Sequence, residues 1–374
     1  MSTSHLNIAI VSDAVLPFNK GGKETRIYFL ANELARQGNS VHIYTMKWWE
    51  GNDSLRIEGV YYHAISKLYS MYTKDRRSIK QGFLFGLACL RLFGKKFDVV
   101  DVDHMPFFPL YSVWLVCLLR RKPMYATWHE VWGRAYWVEY MGMGGHLASA
   151  IERLSIYLPE KIIASSAPTG SRLREVLRYS GELWVIPPVV DSESIESIKV
   201  SDQKSDVIFV GRLVEHKNVD MLVKAIGILK EIVPNICCVL VGDGPELGRL
   251  SDLIGDLGLE SNILMVGRLE DSEEVISLMK ASKVFALPST REGFGIVVLE
   301  AGACHLQVVT VDHKDNGARH LVAPGNGLLC NPTPEDLALA IQSLLEAGPP
   351  MTSSALAGET WPKVARRLTE AYGK

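Results

Sequence analysis

The sequence predicts an α/β protein built from two doubly wound, Rossmann-like domains, and three observations carry that prediction. Short runs rich in Val, Ile and Leu alternate with segments of helical periodicity. The alternation halts once, in a polar stretch from Pro187-Pro188 to Ser205, and then begins again. At 374 residues the chain is long for one ordinary domain and suits two of similar size. Apolar strands between helices belong to parallel sheets covered on both faces.

In the first half, Leu6 to Val11 reads as a buried strand. After a loop with Pro17 and Gly21-Gly22, the apolar residues Ile27, Leu30, Ala31 and Leu34 recur at helical spacing until Gly38. Further strands are expected at Val41 to Thr45, Phe97 to Val102, Met124 to Thr127, Lys161 to Ser165 and Leu183 to Ile186. Met105 to Leu119, ending on Arg120-Arg121-Lys122, is the most apolar region. It contains two prolines and is shorter than the ~20 residues of a spanning helix, so a buried helix beside the sheet is expected. The polar stretch to Ser205 reads as a linker.

The second half opens with a strand at Val207 to Val210, followed by strands at Ile236 to Val241, Ile263 to Val266, Val284 to Leu287 and Val308 to Val311. Helices are expected at Asp220 to Leu229, Glu246 to Leu257, Glu273 to Ala281 and Pro334 to Leu345. The tail places Trp361, Val364, Ala365, Leu368 and Tyr372 on one helical face, which must pack on something. The expected division is 1–188, 189–355 and a terminal helical segment 356–374. Doubly wound domains joined this way place a site in the cleft between them, at the carboxyl ends of the strands.

A composition of 47% hydrophobic and 22% charged residues is that of a globular protein. The formal charge of -2 argues against a nucleic-acid partner. Six cysteines, at 89, 117, 237, 238, 304 and 330, lack metal-ligand or disulfide spacing, which points to a reducing cytoplasm. Cys237 and Cys238 sit in an apolar run, as strand residues do. Met1-Ser2-Thr3-Ser4 leads straight into the first strand without a signal-peptide pattern.

The most informative stretch runs from Pro288 to Ala301 as Pro-Ser-Thr-Arg-Glu-Gly-Phe-Gly-Ile-Val-Val-Leu-Glu-Ala. The strand Val284 to Leu287 runs into a turn that delivers Glu292, and Gly293-Phe294-Gly295 opens a helix carrying Glu300. Free N–H groups at a helix start suit a phosphate, and glycines let a ligand approach the backbone. Eight helical residues would set the two carboxylates roughly 12 Å apart along the axis. That span fits a sugar nucleotide, with a carboxylate on the sugar and another on the ribose. Upstream, Gly211-Arg212-Leu213 and Lys217 follow a strand end, where two cations can hold a diphosphate and neutralise a leaving group. A solvated pair of loop charges is the plain alternative.

With these residues in place, the chain resembles the retaining glycosyltransferases of family 4, of GT-B fold, over nearly its full length. The resemblance rests on Glu292-x7-Glu300, on Val210-Gly211-Arg212-Leu213 with Lys217, and on Val241-Gly242-Asp243-Gly244-Pro245-Glu246. It extends to Gly21-Gly22, to Thr127-Trp128-His129, and to the helix beginning at Trp361, which in this fold crosses back onto the N-terminal domain. It implies Arg212 and Lys217 on the diphosphate, Glu292 on the donor sugar and Glu300 on the ribose. It places Gly21 and Gly22 near the diphosphate or the acceptor, with Lys23 as a further phosphate contact, and His129 by the sugar C6 hydroxyl and the reacting centre. Gly293, Phe294 and Gly295 line the diphosphate, Phe294 also packing beneath its loop. Gly244 either approaches the nucleotide or serves a strand–helix turn. The implied reaction moves a hexose with retention, the departing phosphate oxygen helping to take the acceptor proton. No metal and no cofactor beyond the nucleoside-diphosphate sugar is implied.

The acceptor lies open between a glycan, a lipid and a small molecule. The aromatics Trp128, Trp132, Tyr136, Trp137 and Tyr140, with basic Lys74, Arg76, Arg77 and Lys80, hint at an anionic or lipid-linked acceptor and at peripheral membrane contact through the N-terminal domain, at the inner face of the membrane. Buried aromatics with a solvated basic face account for them equally. Two other functions compete with a transferase: a nucleotide-sugar epimerase of the same fold, and a non-catalytic nucleotide-sugar-binding protein. Both cations, both glutamates and His129 are present together, which favours the transferase.

Overall fold

A computed structural model of the chain describes residues 5–73, 76–350 and 359–373. The chain divides into one unit of residues 1–188 with 360–374 and a second of 189–359. The expected boundary at 355/356 and the Met1 to Ser4 segment lie outside the described residues, as does Lys74.

The first unit holds strands β1 (Asn7–Val11), β2 (Ser40–Met46), β3 (Ser54–Ile57), β4 (Val60–Ser66), β5 (Tyr72–Thr73), β6 (Arg76–Arg77), β7 (Val99–Asp103), β8 (Met124–Trp128), β9 (Lys161–Ala164) and β10 (Leu183–Val185). Its helices are α1 (Gly22–Arg36), α2 (Ile79–Ala88), α3 (Phe108–Arg120), α4 (Gly133–Met141), α5 (Gly144–Ser155) and α6 (Ala167–Glu175). The main sheet runs β10-β9-β8-β7-β1-β2-β4-β3, with only β3 antiparallel to its neighbour. Sequence periodicity missed β3 and β4, because half-buried strands of mixed polarity lack the apolar run of a central strand. Local chemistry starts the helices: Ser78 accepts the Gln81 N–H ahead of α2, and Ser166 accepts that of Thr169 ahead of α6.

The second unit begins with α7 (Ser192–Ser197) and continues β11 (Val207–Val210), α8 (Val219–Lys230), β12 (Cys238–Val241), α9 (Leu247–Asp256), β13 (Ile263–Gly267), α10 (Ser272–Lys280), β14 (Val284–Leu287), α11 (Ile296–Ala303), β15 (Gln307–Val311), β16 (Gly327–Cys330) and α12 (Pro334–Ala347). Its sheet, β13-β12-β11-β14-β15-β16, is parallel throughout. This order is the doubly wound one, winding outward from β11 and then restarting at β14 on its other side. The last helix, α13 (Trp361–Ala371), belongs to the first unit. It lies against α1, where Trp361 stacks on Phe29 at 5.3 Å and Tyr372 donates to Asp101 at 2.8 Å.

Three expectations are corrected. The segment after Pro188 is no free linker: α7 buries Ile195 in the second unit's core, and the Lys280 ammonium donates to the carbonyls of Ile195, Glu196 and Ile198. A polar composition hid this because the anchoring apolar residues, Val190, Ile195 and Ile198, are scattered among polar ones. The apolar region beginning at Met105 is not wholly buried: α3 turns one face to the core and leaves Trp114, Leu115, Leu118 and Leu119 exposed. Glu292 and Glu300 are not joined by eight helical residues, since α11 starts only at Ile296.

Candidate functional site

In the second unit the winding reverses between β11 and β14, and ligands of such sheets bind at the carboxyl ends of those strands. The chain after β11 carries Arg212 and Lys217, and the chain after β14 carries Glu292. These loops are tied to one another. The Thr290 N–H donates to the His216 carbonyl at 3.1 Å, and the Asn218 amide donates to Pro288 O and to Thr290 Oγ1, both at 3.2 Å. Asn218 takes a left-handed conformation (φ 49°) that turns the chain into α8. The result is a direct ion pair in which the Lys217 ammonium donates to Glu292 Oε1, with both side chains largely buried. Arg212 follows β11 with its side chain exposed.

A third loop, after β15, completes the arrangement. Glu292 N donates to Asp315 O at 3.1 Å, and Gly317 N donates to Glu292 O at 2.8 Å. Asn316 is fully buried: its amide donates to Thr310 Oγ1 and Val311 O, and its Oδ1 accepts the Ala318 N–H. Glu292 is therefore held through its backbone by a loop that sequence reasoning did not single out. Its signal was Asp315-Asn316-Gly317 in the polar stretch that follows an apolar strand. Gly295 has φ 85°, and a Cβ there would stand 2.6 Å from Ala318 Cβ, so the turn into α11 requires glycine. Phe294 packs against the core of this unit, beneath the loop that carries Gly293.

Gly244 serves packing. A Cβ at Gly244 would meet Leu213 O at 2.2 Å, and one at Gly242 would meet Gly211 O at 1.8 Å. Leu213 N donates to Asp243 O, and Glu246 N donates back to Leu213 O. The two glycines thus seat the Arg212 loop on the chain after β12. Glu300 lies on α11, half-buried, with no hydrogen-bonding or ion-pair partner for its side chain among the described residues. Burial pushes its carboxyl up to about 7.

In the first unit the winding reverses between β1 and β7. There Asp13, just after β1, and Asp103, at the end of β7, share the ammonium of Lys23 on α1. Arg77 and Gln81 donate to the other oxygen of Asp13 at 2.9 and 3.1 Å. Burial alone would lower the Lys23 ammonium, but Asp103 and Asp13 outweigh it and hold it above its ordinary range. Burial likewise opposes charge on Asp103, and Lys23 prevails, keeping that carboxyl well below the usual range. The ammonium expected to contact a phosphate is thus held by two carboxylates in the chain alone. Gly21 precedes α1 in extended backbone and Gly22 begins it, beside this network.

His129 follows β8 on the next strand over. Its Nε2 lies 3.6 Å from Asp103 Oδ1, and its carbonyl accepts from Thr169 Oγ1 at 3.0 Å. Burial lowers its imidazole to about 3 although Asp103 opposes this, so the ring is neutral near pH 7. Arg26, Asp101, Asp103, Thr127, His129 and Tyr372 line a small cavity in this unit.

The aromatic cluster is mostly internal. Trp128 is fully buried, Trp137 nearly so, and Trp132, Tyr136 and Tyr140 pack ring on ring. Buried Glu152 accepts the N–H groups of Trp132, Gly133 and the Trp137 indole at 2.8 to 2.9 Å. Arg77 is bound to Asp13 and is no part of a solvated basic face, whereas Arg76 and Lys80 are exposed. Among the described residues no group of His, Cys, Asp or Glu is arranged to hold a metal ion, and no helix is long and apolar enough to cross a membrane.

Two family models match. Residues 190–357 match the model of group 1 glycosyl transferases, and residues 20–194 match that of Glycosyltransferase Family 4. Over its length the chain is 26% identical to one of the subunits of phosphatidylinositol N-acetylglucosaminyltransferase from Arabidopsis thaliana, covering 99% of this chain and 82% of that protein. Among solved structures it is similar to sucrose-phosphate synthase from Thermosynechococcus elongatus (TM-score 0.72, 20% identity, 98% of this chain and 94% of that one). It is also similar to Anabaena HepE in complex with UDP and glucose (TM-score 0.67, 19% identity, 98% and 95%). At these identities the structural likeness speaks for the fold, which is GT-B.

Proposed function

We propose that this chain, a glycosyltransferase of GT-B type, uses a nucleoside-diphosphate hexose as donor and transfers the hexose with retention to a hydroxyl of a glycan, lipid or small-molecule acceptor. The observation that carries the donor half is the Lys217–Glu292 pair at the winding reversal of the second unit. An ammonium beside a carboxylate at that place offers a cation to the diphosphate and an acceptor to sugar hydroxyls. Arg212 adds a second cation, and Glu300 supplies a carboxylate without a partner among the described residues, suited to a ribose diol. HepE, of the same fold, was crystallised with UDP and glucose, which supports a nucleotide-sugar donor here.

The reaction needs no metal in this reading, because Arg212, Lys217 and the α11 N-terminus supply the positive charge on the leaving group. His129, neutral and held beside Asp103, is the residue of the first unit assigned to the reacting centre. The acceptor proton passes to the departing phosphate oxygen, so no side chain is required as a base. The Arabidopsis relative is named for transfer to phosphatidylinositol, which supports a lipid-linked acceptor.

The test is a panel of nucleoside-diphosphate sugars, run in excess chelator. Thermal stabilisation by one donor, followed by transfer with the donor's anomeric configuration kept, is expected. Inverted product, a donor epimerised without transfer, or activity that returns only with a divalent ion would overturn the corresponding part of the proposal.

A further inference from the structure

Helices α2 and α3 lie side by side on the first unit's sheet. Gly86 permits the contact, since a Cβ there would stand 2.7 Å from Phe108 Cβ, and the rings of Phe83 and Phe108 meet edge-on at 5.6 Å. Both helices bury one stripe in the same core, through Phe85 on α2 and Leu110, Val113 and Cys117 on α3. The opposite stripes therefore face away from the sheet together. They carry Ile79, Phe83 and Leu87 on α2 and Trp114, Leu118 and Leu119 on α3, all exposed. Leu118 and Leu119 are 57% and 65% exposed, far more than a residue packed at the edge of a core. Arg120 donates to the carbonyls of Leu92 and Lys95, so the 3₁₀ turn Cys89–Gly94, with exposed Leu90 and Phe93, joins the same platform. Apolar groups gathered this way mark an interaction surface.

Charge decides what fits it. Residues 76–97 and 104–122 contain nine Lys or Arg and no Asp or Glu, in a chain whose net charge is -2. Lys80, Lys95, Lys96 and Arg121 are exposed and form no ion pair among the described residues. A second copy would bring like charges together, and protein interfaces are depleted in lysine. A bilayer with anionic headgroups offers both what the apolar stripe and what the cations lack.

We infer that the outer face of α2, the following 3₁₀ turn and α3 docks on an anionic lipid surface, lying on it without spanning it. This places the membrane contact away from the aromatic cluster around Trp132. The inference stands apart from the donor proposal, because it concerns the first unit alone and is measured without nucleotide.

The experiment is flotation of the full chain with vesicles of phosphatidylcholine, alone or mixed with phosphatidylglycerol. Binding to the mixed vesicles, weakened by salt, is expected. Leu118→Ser with Leu119→Ser, and separately Lys95→Glu with Lys96→Glu, should each lower the bound fraction by about tenfold. The charge-reversal variant alters only exposed residues next to a turn and serves as the control should the apolar variant fold poorly. No flotation with either vesicle, equal and salt-insensitive binding to both, or variants that float like the parent would overturn the inference. So would a dimer in sedimentation velocity that Leu118→Ser with Leu119→Ser abolishes, which would assign the face to a second copy.

Discussion

The two winding reversals of this protein occupy equivalent places in two similar sheets but are filled differently. In the first unit, Asp13 and Asp103 enclose Lys23, and Arg77 and Gln81 take up Asp13's remaining oxygen. The Lys23, Asp13 and Asp103 charges are matched within the protein as a structural knot, while His129 Nε2 and His104 Nε2 at its edge are buried without a hydrogen-bond partner among the described residues. In the second unit Lys217 pairs with Glu292, and Glu300, farther along on α11, has no side-chain hydrogen-bond or ion-pair partner among the described residues. That end of the sheet keeps binding capacity in reserve. A self-satisfied polar cluster stabilises a fold, while an under-satisfied one awaits a ligand.

The contrast is sharpest at Glu292. Glu292→Ala should lower turnover by about a hundredfold or more, the scale of losing a preorganised contact to the reacting group. Circular dichroism should remain that of the parent, because the loop is held through the backbone of residue 292. Near-parental transfer would reject its role on the donor. Replacing Arg212 and Lys217 together by Ala should weaken nucleoside-diphosphate binding by roughly 100-fold in calorimetry, as expected for two charge-assisted contacts. Unchanged affinity would move the diphosphate elsewhere.

Lys23→Met tests the other side of the comparison. It should cost roughly 3 kcal/mol of stability, since it strands two buried carboxylates. Nucleoside-diphosphate affinity at a temperature where the variant is folded should stay that of the parent. A variant of parental stability with weakened affinity would show that Lys23 serves the ligand after all.

The smallest effect is in pH. Glu300 titrates near 7 in the folded chain, above the ordinary 4.5, because burial disfavours its charge. Its contribution to stability is therefore present at acid pH and lost as pH rises through about 7, while the ionised form that accepts ribose hydroxyls appears over the same range. Nucleotide affinity should rise several-fold between about pH 6 and 8, and Glu300→Gln should flatten that rise. A parent whose affinity ignores pH would separate Glu300 from the ribose.

Much of the second unit was legible because its strands are buried on both faces and read as apolar runs: Val284 to Leu287 was placed without error. The first unit hid more. Half-buried β3 and β4 resemble loops in sequence, and α4, next to Trp132, shows weak periodicity. The opening of α11 shifted by a turn because Gly295's left-handed conformation sets the start, and a run of glycines does not reveal which one caps.

By itself, then, the sequence determined the strand–helix alternation, the polar interruption between the halves and the local chemistry of Glu292, Glu300, Arg212 and Lys217, since apolar period and glycine placement are properties of neighbouring residues. Tertiary structure decided which charges meet. Lys23 lies 80 residues from Asp103, and Lys217 lies 75 from Glu292. Sheet order brings both pairs together, yet it surrounds the first with further donors, Arg77 and Gln81. Only the folded chain also shows that α3 keeps Trp114, Leu115, Leu118 and Leu119 outside the core. A count of apolar residues gives the amount available for burial, and packing decides how much of it is used.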